Sequence, residues 1–154
     1  MNEPLTPALP AQFIVKTIRL QEMPSALPVS SPYEIKSFWQ QNIETADWFD
    51  REKECLIVLA LDTKLKLKGW NLVSLGSLNE SIVHPREVFR PLVAVAAYGF
   101  IMIHNHPTGN TDPSSADYRV TEKIRSAAKT MDIVFFDHVI IGDSYYSFRE
   151  SGLI

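Results

Sequence analysis

An apolar run, Tyr98-Gly99-Phe100-Ile101-Met102-Ile103, stops at His104-Asn105-His106-Pro107, and a helical pattern begins at Ser114, seven residues after that proline. No other stretch constrains the fold as tightly. The run reads as a buried strand. From Ser114 to Met131, the residues Val120, Ile124, Ala127, Ala128 and Met131 fall on one helical face. The histidines therefore sit where a strand ends, and Asp117 sits in the first turn of the next helix.

Residues two apart on a strand point to the same side. His104 and His106 can thus present ring nitrogens to one point, and a turn folding back can bring Asp117 to it. Two imidazoles and one carboxylate suit Zn²⁺, with the fourth tetrahedral position left to water. Each residue also has an ordinary explanation. Ser114-x-x-Asp117 resembles a capping box with Asp in place of Glu, and Asp112-Pro113 reads as a helix start with Pro at the first helical position. The full spacing, His-x-His-Pro-x6-Ser-x-x-Asp, has chance odds on the order of 10⁻⁵ to 10⁻⁴. Capping requires the serine and aspartate but not the histidine pair ahead of them.

The stretch resembles the motif of the JAMM (MPN-type) metalloproteases, and the form His-Asn-His-Pro-x-Gly is most similar to their bacterial RadC-like branch. Glu54-Cys55-Leu56-Ile57-Val58-Leu59-Ala60-Leu61-Asp62 resembles the first core strand of that family, Gly76 to Phe89 its passage into the first helix, and Asp137 to Asp143 with Tyr146 to Glu150 its closing strands. The similarity covers roughly residues 32 to 154. It implies a three-layer α-β-α domain around a mixed sheet, of cytidine deaminase-like architecture. It also implies a zinc-dependent hydrolase, with one Zn²⁺ per chain, that cleaves a peptide or isopeptide bond. His104, His106 and Asp117 would hold the metal, Glu54 would act as general acid and base, and Ser114 would stabilise the oxyanion. From the residues alone Glu52 is an equal candidate for the base; the resemblance selects Glu54. Thr108 stands where the family usually has serine. His84 and His138 lie outside the ligand pattern and read as supporting or packing residues.

Other zinc chemistries fit less well. A nucleobase deaminase needs Pro-Cys-x-x-Cys after its first ligand, whereas the single cysteine, Cys55, lies upstream. His-Glu-x-x-His is absent. A lone cysteine in an apolar run reads as a buried thiol in a reducing compartment, and the N-terminus lacks a secretory pattern, so a cytoplasmic location is expected. No apolar run is long enough to span a bilayer. A net charge of −3 gives no general pull toward nucleic acid. Lys64, Lys66 and Lys68, and the helix residues Arg119, Lys123, Arg125 and Lys129, keep open a second reading as a DNA-processing or DNA-binding accessory module that retains a metal.

With 154 residues one domain is expected. Six of the ten prolines fall in the first 32 residues, so residues 1–30 read as an arm with one possible strand, Phe13 to Leu20, and 31–154 as the domain. That arm could pair edges with a second copy, making a homodimer an open expectation. Ser31-Pro32-Tyr33-Glu34 announces a helix reaching about Trp48. Leu65 to Gly76 reads as two short strands or a hairpin arm around Gly69. Pro85 begins a helix that contains Pro91, unless it starts near Arg90. Strands are expected over Ile133–Ile141 and Tyr145–Arg149.

Overall fold

The structure, a computed structural model, describes residues 16–18, 20, 29–76 and 83–154. Helix α1, Pro32–Asn42, opens on a reciprocal cap: the Ser31 hydroxyl accepts from Glu34 N–H, and the Glu34 carboxylate accepts from Ser31 N–H at 3.1 Å. It stops short of Trp48 because Ile43 and Glu44 N–H both turn back to the Trp39 carbonyl and close the last turn. Five strands follow, β1 Glu54–Leu61, β2 Leu67–Gly76, β3 Gly99–Asn105, β4 Val134–Ile141 and β5 Tyr145–Ser147, with α2 Pro85–Ala94 before β3 and α3 Ser115–Met131 after it.

The strand order is β2-β1-β3-β4-β5. β1 runs antiparallel to β2 and β3, whereas β3 and β4 are parallel and need the crossover that α3 provides. Alternation along the strands divides the core into two layers. Cys55, Ile57, Leu59, Ile101, Ile103, Val139 and Ile141 pack with Ile35, Phe38 and Trp39 of α1. Leu56, Val58, Phe100 and Met102 pack with Val88 and Leu92 of α2 and Val120 and Ile124 of α3. The result is the expected α/β architecture, an open mixed sheet between helical layers. Every residue of β3 is buried, which explains why its sequence shows no polar alternation.

Several local expectations are corrected. Residues 67–76 form one strand with two register irregularities against β1, not two strands; Gly69 lies within it, paired with Ala60. The helix expected from Pro85 does start there, not near Arg90, and α2 keeps Pro91 inside, so the Glu87 carbonyl gets no backbone donor from that position. Pro113 lies outside α3, because the Ser114 side chain itself caps the helix. β4 begins after Ile133, whose N–H is taken by the Ala128 carbonyl once Asp132 adopts a left-handed conformation at φ 54°. Half of the expected strand at Phe13–Leu20, and residues 77–82, lie outside the described residues; Lys16, Thr17, Ile18 and Leu20 carry no strand. No helix among the described residues is long and apolar enough to cross a membrane.

Candidate metal centre

β3 ends at Asn105; His106 N–H makes the last rung with β4, donating to the Ile141 carbonyl at 2.8 Å, and the turn begins at Pro107. The loop that follows is pinned to the β4–β5 turn. Gly109 takes φ +83°, where a side chain would be strained, and its carbonyl accepts from Asp143 N–H at 2.9 Å. A Cβ on Gly142 would overlap that same carbonyl, so glycine is needed for the approach. The loop then delivers Ser114 as the cap of α3 and Asp117 as its third residue, where the helix N-terminus favours a carboxylate.

These elements bring ligand atoms of His104, His106 and Asp117 within 4.8 Å of one another. His104 Nε2 is 3.2 Å from Asp117 Oδ1, His106 Nε2 is 3.3 Å from Asp117 Oδ2, and the two Nε2 atoms are 3.1 Å apart. His104 and Asp117 are buried, and His106 is partly exposed.

Hydrogen-bond accounting places the protons. His106 Nδ1 lies 2.7 Å from the Asn110 carbonyl, which can only accept, so the proton sits on Nδ1 and Nε2 carries a lone pair. For His104 the accounting runs through two buried neighbours. The Thr121 hydroxyl has one proton and donates it to the Asp117 carbonyl at 2.7 Å. It must therefore accept from His138 Nδ1, 2.6 Å away. Neutral His138 then offers only a lone pair on Nε2, so His104 Nδ1 donates to it at 2.8 Å, and His104 Nε2 is left bare. Asp117 Oδ2 already accepts from Ser114 N–H and Ser114 Oγ, both at 2.7 Å, leaving Oδ1 the freer oxygen. With both rings neutral, two ring lone pairs and a carboxylate oxygen converge. That donor set fits a divalent cation.

When protonated, the two rings donate instead to Asp117, and a bound metal would displace those protons. Burial pushes the Asp117 carboxyl up, but hydrogen bonds from His104 and His106 outweigh it and hold the group well below the usual carboxylate range. The hydrogen bond to Asp117 raises His106 against the opposing effect of burial, with smaller contributions from the Asn110 carbonyl and the charge of Glu54. Burial, reinforced by the nearby His104, drives His138 well below its ordinary value and keeps it neutral.

Glu54 opens β1. The β1–β3 ladder ends at the pair Leu56–His104; alternation along β1 puts Glu54 on the face that carries Leu56 and His104, and its charge helps to raise His106. Glu52 is exposed in the preceding turn. Ser114 serves as the helix cap, its hydroxyl accepting from Asp117 N–H at 3.1 Å while donating to Asp117 Oδ2. Thr108 is exposed in the loop. His84 is the exposed N-cap residue of α2 and takes no part in the cluster. Cys55 is buried and free, its thiol pushed up to about 12 by burial. Thr121, the Asn110 carbonyl and the Asn105 side chain belong to the site without having been singled out from sequence. Thr121 had one legible signal: it lies four residues after Asp117, one helical turn along α3.

Residues 29–153 match the family described as the RadC-like JAB domain. A UPF0758 protein of Trichlorobacter lovleyi is 43% identical over 126 residues, covering 81% of this chain and 53% of the relative. One from Methanosarcina mazei is 40% identical over 127 residues, 82% of this chain and 53% of the relative. One from Geobacter sulfurreducens is 48% identical over 106 residues, 68% and 46% respectively. The chain spans about half the length of the curated relatives it matches.

Proposed function

The chain belongs to the RadC-like JAB domain family, and from that premise we propose that it is a zinc-dependent hydrolase acting on a peptide or isopeptide bond. The observation that carries the reading is the convergence of two imidazole nitrogens and one carboxylate, three protein ligands with no fourth in the cluster among the described residues, and a further carboxylate, Glu54, near enough for its charge to bear on His106. A structural zinc site among these residues would call for four protein ligands; three suit catalysis.

Zinc, when bound, lowers the pKa of its water to about 7 and polarises a carbonyl. The chain's own residues do the rest. Glu54 accepts a proton from the attacking water and passes it to the leaving amine. Ser114 Oγ, by rotating its hydroxyl off Asp117 Oδ2, can donate to the oxyanion, while Ser114 N–H keeps that carboxylate oxygen in place. His138 and Thr121 hold His104 with its lone pair outward.

Elemental analysis and a quenched-fluorescent peptide library test the proposal. Wild-type protein is expected to bind one zinc and to cleave. His104→Ala and Asp117→Ala are expected to lose stoichiometric zinc, and Glu54→Gln to keep zinc and lose cleavage. Retention of zinc at the native site by either ligand variant would refute it. The DNA-processing alternative predicts instead a duplex affinity that falls steeply with salt.

A further inference from the structure

Asn105, between the two ligand histidines, makes one hydrogen bond to the start of β1 and one to the residue just before it. Its Oδ1 accepts from Cys55 N–H at 2.8 Å, and its Nδ2 donates to the Lys53 carbonyl at 3.0 Å. Those two peptide groups lie immediately on either side of Glu54. The amide orientation is fixed by its partners, because an N–H needs an acceptor and a carbonyl needs a donor.

The backbone explains why a side chain is used here. The β1–β3 ladder stops at Leu56–His104. β3 itself ends at Asn105: His106 N–H makes the last rung with β4, to the Ile141 carbonyl, and the turn begins at Pro107. β3 therefore offers no further peptide to the start of β1. A carboxamide carries one donor edge and one acceptor edge, as a peptide does, and it takes the place of the missing ladder step. Asp would lack the donor, and a hydroxyl could not reach both groups. Alternation turns Asn105 to the sheet face opposite His104, and it is 6% exposed, so it is placed neither to ligate nor to meet substrate.

We infer that Asn105 is a positioning residue for Glu54: by clamping the backbone on both sides of that glutamate it fixes the carboxylate's height relative to the two histidines. The inference rests on the role given to Glu54 above. The start of β1 keeps its pairs with β2 on the other side, Glu54–Gly76 and Cys55–Leu75, so removing the clamp should loosen Glu54 without unravelling the strand.

Cobalt(II) alone, loaded in place of zinc, is the probe, and the pH midpoint of its visible absorption is the readout. Glu54→Gln is expected to move that midpoint. Asn105→Ala is expected to move it in the same direction, and the double variant no farther than Glu54→Gln alone. Cobalt affinity should fall by less than the roughly 10–100-fold typical when a ligand's own supporting partner is lost. Asn105→Ser is measured in parallel in case the alanine variant does not fold. A midpoint unmoved in the Asn105 variants, with Glu54→Gln still effective, would overturn the inference and leave the hydrolase reading intact. Additive shifts in the double variant, or loss of cobalt by both Asn105 variants, would also overturn it. No effect of Glu54→Gln would remove both the inference and the base on which the hydrolase reading depends.

Discussion

Thr121→Val removes one hydroxyl from a buried position, 4% exposed, while keeping the side chain's shape. That hydroxyl is the fixed point of the proton arrangement: it donates to the Asp117 carbonyl at 2.7 Å and so forces His138 Nδ1 to be a donor. Two consequences follow. First, in the tautomer the native site uses, His138 Nδ1–H is stranded in a fully buried place, at a cost of about 1–3 kcal/mol. For a chain of this size that lowers the melting temperature of the metal-free protein by about 3–10 °C. Second, His138 can escape by moving its proton to Nε2. It then donates to His104 Nδ1 and pushes the His104 proton onto Nε2, the nitrogen that must be bare for a metal. Partners of this kind typically contribute 10–100-fold in metal affinity, about 1.4–2.7 kcal/mol. The assay is competition for zinc against a chromophoric chelator at fixed pH, alongside thermal unfolding of the metal-free protein. Thr121→Ser, which restores the hydroxyl, should behave as wild type. Wild-type zinc affinity in Thr121→Val would refute the proton assignment.

Two further outcomes are expected. Metal-free protein should be most stable near pH 6.5. Below that value the unfolded chain protonates His138 whereas the native state, held low by burial, does not, so about 1.4 kcal/mol is lost per pH unit. The raised His106 contributes stability that is complete below its unfolded value and fades as pH rises through its folded one. Urea midpoints from pH 5 to 8 test this, and stability still climbing at pH 5 would contradict it. Gly142→Ala should cost about 1–3 kcal/mol and weaken metal binding, because the new methyl overlaps the Gly109 carbonyl and displaces the loop that carries Asn110. Unchanged zinc affinity in that variant would show that the loop is not needed to orient His106.

The ligand set was legible because its parts lie close along the chain. His104 and His106 share a strand end and Asp117 follows a short turn, so local spacing and strand alternation suffice to bring them together. The capping role of Ser114 was legible for the same reason. Elements were placed well where a strong cap or a continuous apolar run marked them, as at Ser31 and at β1 and β3. They were placed poorly where the chain breaks its own rules. Residues 67–76 stay in one strand despite Gly69, because pairing with β1 overrides local preference.

What the residue order decides alone is therefore the chemistry on offer: which groups can bind a cation, and on which strand end and helix turn they stand. Proton placement and the setting of Glu54 are decided only by tertiary structure. Thr121 belongs to α3, His138 to β4 and Asn105 to β3, and each acts on a partner on a different element. A hydrogen bond across elements depends on distances of about 3 Å between residues far apart along the chain, and no local periodicity encodes it.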